Sequence, residues 1–215
     1  MKNLNRECWL LTLVVLGFSS YSAQAACAPW MRFVNGKPSI QVEWTGYKTT
    51  EKLGVKGSFD RVEFHSSHEM SCAAAEVLEG ATAEIDLQSV NSGNPVRDAN
   101  LKMGFFALFS ETGKATAVLA QVKEKDSNSG SAVLQLTLSR KGKMQANLIP
   151  LTYRIVGKPG ERVFEATGSF DLIQMGASNA LESVAGICHE VHKGKDGVSK
   201  TWSEVAVKIS AQLAH

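Results

Sequence analysis

The chain predicts an all-β fold, an eight-stranded antiparallel barrel carrying two or three short helical inserts. Three observations predict it. Apolar and polar residues alternate at period two through most of the chain, the pattern of strands with one buried face. Turn signals rich in Gly, Asn, Ser and Pro cut that pattern into successive hairpins. The segments that switch to helical spacing are short. Closing such a sheet on itself is the economical way to remove two exposed edges.

Residues 1–25 read as a secretory signal peptide. Lys2 and Arg6 form a positive start, Trp9 to Phe18 an apolar core, and Ala23-Gln24-Ala25 a small-residue cleavage site. The apolar run falls short of the ~20 residues that span a bilayer, so no stable membrane insertion is expected. Gln24 stands where a lipoprotein signal places a branched aliphatic residue before the cysteine, so Cys27 is not read as a lipidation site. Residues 26–215 are then one domain of ordinary size, exported to the periplasm.

Removing Lys2, Arg6 and Glu7 from 23 basic and 21 acidic residues leaves 21 and 20. Without a basic block, nucleic acid is not expected as a partner. Cys27, Cys72 and Cys188 survive processing, an odd number in a compartment where disulfides persist. Cys72 and Cys188 are the preferred pair by position, with Cys27 left over.

Along the domain, Ile40, Val42 and Trp44 alternate with Gln41, Glu43 and Thr45 as a first strand. Val55, Gly57 and Phe59 begin a second that continues through Val62 and Phe64, and Gly57 within it suggests a bulge or bend. Ser71 to Leu78 is a short Ala-rich helical segment. The next strand points Ala83, Ile85 and Leu87 inward. A break at Asn91-Ser92-Gly93-Asn94-Pro95 follows, then Leu101, Phe105, Leu108 and Phe109 recur at helical spacing with Phe106 beside them.

Three hairpins follow, turning around 126–130, 141–143 and 158–160, an antiparallel meander over residues 112–172. Leu181, Val184, Ala185 and Cys188 then mark one face of a helix, and Asn179 with Glu182 resembles a capping box. Val205, Val207, Ile209, Ala211 and Leu213 alternate in the last strand.

The stretch GATAEIDLQSVNSGNPVRDANLKMGFFALF (80–109) resembles the central signature of the YceI-like family, bacterial lipocalin-like polyisoprenoid-binding proteins. The shared pattern is an alternating strand, the Ser89-to-Asn94 turn, Arg97-Asp98, a leucine three residues on and a Phe-Phe pair. VKGSFDRVEF (55–64) and TWSEVAVKISAQL (201–213) agree with it in the same order. The resemblance implies a lipocalin-like barrel open to a long lipid, and it allows a homodimer.

An eight-stranded barrel is either filled by side chains or holds one small ligand. The residues alone favour the filled core, and the resemblance implies the open channel. The side chains expected along such a channel are Val42, Trp44, Phe59, Ile85, Phe105, Phe106, Leu136, Leu148, Phe164, Val205 and Ile209. Arg97 and Asp98 are expected to pair, to cap the following helix, or in the case of Arg97 to meet a polar ligand head.

The expected function is therefore a periplasmic carrier of an isoprenoid lipid, polyprenyl or quinone-type, with no cofactor and no catalysis. No Gly-x-Ser-x-Gly elbow or phosphate-binding loop is present in the sequence. The rival reading is a stress-linked metal- or redox-active protein using His65, His68 and Cys72 with Cys188, His189 and His192. Those spacings match no standard zinc motif.

Overall fold

Alternating apolar residues form a single antiparallel sheet, seen in a computed structural model that describes residues 32–33, 40–67, 73–158 and 161–214. Its strands are β1 (Arg32–Phe33), β2 (Ile40–Lys48), β3 (Leu53–Phe59), β4 (Val62–His65), β5 (Thr82–Asp86), β6 (Val90–Asn91), β7 (Lys114–Asp126), β8 (Ser129–Arg140), β9 (Lys143–Val156), β10 (Arg162–Asp171) and β11 (Thr201–Ala214). The helices are α1 (Ala74–Leu78), α2 (Pro95–Leu101), α3 (Ala107–Phe109) and α4 (Ser178–Ile187). The hydrogen-bonded order is β4-β5-β7-β8-β9-β10-β11-β2-β3-β6, with β1 beside β11.

The path holds ten strands, which corrects the eight expected. Two of the expected strands bend so sharply that each becomes two. Only Asp60-Arg61 parts β3 from β4, and only a 3-10 turn, Leu87–Ser89, parts β5 from β6. The Asp86 carboxylate caps that turn by accepting from the Gln88 N–H at 2.8 Å. Backbone hydrogen bonds cross the corner, from Asp60 N to Ser89 O at 3.0 Å and from Asp86 N to Arg61 O at 3.1 Å. The sheet therefore curls until the two ends of its path meet.

The meander forms where the turn signals stand. Lys141 and Gly142 both take positive φ (50° and 67°), the two-residue turn whose twist suits a hairpin. The Glu111 carboxylate accepts from both of their N–H groups, at 2.6 and 2.9 Å.

Gly57 departs from expectation. It pairs in register with Trp44 and shows no bulge. A Cβ there would collide with the Trp44 indole and reach 3.0 Å from the Asn91 carbonyl, so the glycine makes room for the ring. Replacing Gly57 by Ala is expected to displace Trp44 and lower stability by about 1–3 kcal/mol, the usual range for overpacking. A urea titration checks it, and an unchanged midpoint refutes it.

The Phe-rich insert is helical, with a correction to its face. A π-helical turn, Lys102–Phe106, joins α2 to α3. The wider turn rotates the residues that follow, so Phe105, Phe106 and Phe109 are buried while Leu108 is 54 % exposed. The Phe106 ring stands edge-on to Phe59, with centroids 5.6 Å apart. The expected Asn179 cap is also absent, because α4 starts two residues earlier, at Ser178, with Ala177 in the cap position. The preceding turn sets that start: Asp171 accepts from the Ile173 and Gln174 N–H groups at 2.8 and 3.1 Å.

Candidate functional site

The curled sheet does not close on a solid core. It encloses a cavity of about 520 Å³ with an almost entirely apolar lining. The hollow has a local cause in small side chains. Ala81, Ala83, Ala115, Ala117 and Ala211 take inward positions where larger residues would meet across the barrel. The expected lining held only large residues and left these alanines out, although Ala83 already stood among the inward positions of its strand and the alternation in Ala81-Thr82-Ala83 and Ala115-Thr116-Ala117 places each pair on one face.

Of the side chains expected to line a channel, Val42, Trp44, Phe59, Ile85, Phe105, Phe106, Leu136, Phe164, Val205 and Ile209 do line this cavity. Leu148 does not. It is 65 % exposed on the outer face of β9, and its neighbour Ile149 stands in the wall instead. Ile149 pairs with inward Leu134 of β8, whereas Leu148 pairs with Gln135. A shift of one residue moves a side chain to the opposite face.

The phenylalanines of the insert and Leu181 and Val184 of α4 cover one end of the barrel. At that end the lining reaches the surface, since Val96 (72 % exposed) and Val191 (64 % exposed) both line the cavity. The Trp44 Nε1–H, buried in the wall, has no hydrogen-bond partner among the described residues.

Polar groups in the lining gather around the same helices. Asn94 caps α2, accepting from Arg97 N at 3.0 Å, with Pro95 next in the chain as a preformed first helical residue. Arg97 and Asp98 do not pair with each other. Both hold Ser92: Arg97 donates to its hydroxyl and its carbonyl, each at 2.7 Å, and Asp98 accepts from its N–H at 2.9 Å and from its hydroxyl.

Asn100 lies 3.9 Å from the Cys188 sulfur. Lys48 donates to the Val191 carbonyl at 3.1 Å, and His192 Nδ1 lies 2.7 Å from the Thr201 hydroxyl. Burial pushes the His192 pKa below the ordinary imidazole value, and the nearby Lys48 charge acts in the same direction.

Cys188 carries a buried free thiol, while Cys27, Cys72 and His68 lie outside the described residues, and with them the Cys72–Cys188 pairing. Among the described residues, no three His, Cys, Asp or Glu side chains gather as metal ligands. His189 is exposed beside Glu190, at 3.0 Å. No helix of the described residues is long and apolar enough to cross a membrane.

The YceI-like domain model matches residues 35–213. Among solved structures, the fold is similar to BcnA of Burkholderia cenocepacia, with TM-score 0.55 and 16 % identity over 82 % of this chain and 96 % of that one. It is also similar to a polyisoprenoid-binding domain from Saccharophagus degradans implicated in plant cell wall breakdown. There the TM-score is 0.54 and the identity 13 %, over 86 % and 97 % of the two chains. No curated protein matches the chain.

Proposed function

The chain belongs to the YceI-like family, and from that premise we propose that it is a periplasmic carrier holding an isoprenoid lipid, polyprenyl or quinone-type, in its cavity. The observation that carries the reading is the hollow interior, walled by alanines between larger apolar side chains. Burying an apolar tail there gains roughly 25 cal/mol per Å² removed from water. A chain built of repeated apolar units suits a space with few polar partners.

The polyisoprenoid-binding domain of Saccharophagus degradans supports the same ligand class by its shared fold. The export reading of residues 1–25 supports the compartment. The carrier needs no catalytic group, since its task is to shelter the lipid from water and release it unchanged.

Native mass spectrometry of protein purified from the periplasm, followed by organic extraction, tests the proposal. A stoichiometric adduct that extracts as an isoprenoid is the expected result. An empty protein that also refuses added polyprenols would overturn it.

A further inference from the structure

The inference rests on the reading of the cavity as a lipid channel and concerns the length of the lipid. We propose that Phe164, backed by Tyr153, is the closed floor of the channel and limits the ligand to a short isoprenoid tail of geranylgeranyl size.

The described residues open the channel at the helical end and close it at the other. Val96 and Val191, at the helical end, belong to the lining and are exposed. Away from the inserts the lining stops while the strands continue. It ends at Leu134 on β8 and at Ala211 on β11, and the next inward residues, Ala132 and Leu213, are buried outside it. On β9 it ends at Ile149, and Leu151, Tyr153 and Ile155 are buried beyond it.

The short helix α1 is fastened over the same end. Past Leu119, which is the last lining residue of β7, the Gln121 and Val122 N–H groups donate to the Glu79 carboxylate at 3.2 and 2.8 Å. The Ala75 N–H donates to the Glu124 carboxylate at 2.9 Å. Val77 and Leu78 of this helix are buried without joining the lining.

Phe164 stands at the boundary between hollow and filled. It pairs across the sheet with Ala211, which lines the cavity, and with Ile155, which does not. Phe164 itself lines the cavity, and its ring packs on that of Tyr153 with centroids 5.8 Å apart. Tyr153 is seated by its strand partner Gly130. A Cβ there would lie 2.7 Å from the Tyr153 Cζ, so the ring takes the place of the missing side chain. A tail tip arriving from the helical end therefore meets buried aromatic carbon.

The hollow above this floor sets the length. A benzene fills a cavity of about 150 Å³, roughly 25 Å³ per carbon. On that scale a cavity of about 520 Å³ takes about twenty carbons, the tail of geranylgeraniol. A longer tail leaves its surplus units outside the mouth, with their apolar surface in water. A shorter one leaves part of the hollow empty and forfeits contacts there.

A competition tests the floor. An equimolar mixture of farnesol, geranylgeraniol, geranylfarnesol and hexaprenol is offered to the purified protein from phosphatidylcholine vesicles, and native mass spectrometry reads which alcohol is retained. Every unit beyond the limit leaves a bilayer for water, so retention is expected to peak at geranylgeraniol and to fall about tenfold or more for each unit after it. Phe164→Ala removes a ring about the size of one isoprene unit and is expected to move the peak to geranylfarnesol. Ala211→Phe adds such a ring beside the floor and is expected to move the peak to farnesol. This second variant fills space rather than emptying it, so the test survives if Phe164→Ala fails to fold.

Wild-type retention that stays level or rises through hexaprenol would overturn the floor and leave the channel standing. A peak that stays at geranylgeraniol in Ala211→Phe would do the same. Retention of none of the four alcohols would overturn the channel reading and this inference with it.

Discussion

Replacing Arg140 by alanine is expected to destabilise the protein by on the order of 3–5 kcal/mol, a severe loss for a single substitution. Arg140 ends β8 and is 9 % exposed. Its Nε donates to the Phe109 carbonyl at 2.9 Å, and Nη1 donates to the Met175 carbonyl. These carbonyls close α3 and the turn that precedes α4. One guanidinium thus ties both helical inserts to the sheet and places positive charge at the C-terminal carbonyl of α3.

The Arg140 guanidinium also lies over the Phe109 ring, 4.9 Å from its centroid. Burial pushes its pKa down from the ordinary guanidinium value, yet the group stays cationic at neutral pH. Alanine removes the stem and strands two buried acceptors. Methionine keeps the stem and removes only the donors, so Arg140→Met is expected to recover part of the loss. Urea denaturation of the two variants checks this. Wild-type stability in Arg140→Ala would mean that water replaces the guanidinium at both carbonyls.

Ala117→Phe is expected to lower affinity for a long prenyl chain by about tenfold or more, ~1.4 kcal/mol per decade, while the fold persists. Ala117 is buried on β7 between Ala83 of β5 and Leu136 of β8, all three lining the cavity. A phenyl ring there enters space that holds no protein atoms, so the usual overpacking penalty is not incurred. The ring instead occupies the volume the lipid tail would fill.

Titration of geranylgeraniol into the variant reads the affinity, and a thermal melt alongside it reads the fold. Unchanged affinity with an unchanged melt would locate the tail elsewhere. A sharply lowered melt would show the space around Ala117 to be already full.

Much of the site was legible in the sequence because period-two alternation fixes which face of a strand turns inward. Val42, Trp44, Phe59, Ile85, Leu136, Phe164, Val205 and Ile209 all follow from it. The alternation fails as a guide where two apolar residues adjoin. At Leu148-Ile149 either could face inward, and only pairing with Leu134 across β8 decides for Ile149.

The polar end of the cavity was not legible either. It joins residues from the region of Lys48, the α2 helix and the segment 188–192, far apart in the chain and adjacent only once the sheet has curled.

By itself the sequence determined the antiparallel meander, the turns that punctuate it, the phenylalanine-rich insert and the family signature. Each is a local property, set by side-chain period or by turn chemistry within a few residues. Tertiary structure alone decided the bends that divide two strands at Asp60-Arg61 and Leu87–Ser89, and the π-helical turn that rotates Leu108 outward. It also decided that the barrel is hollow. Inward alanines are compatible with a tight core or an open one, and the outcome depends on how far the facing walls stand apart, a distance that no stretch of sequence specifies.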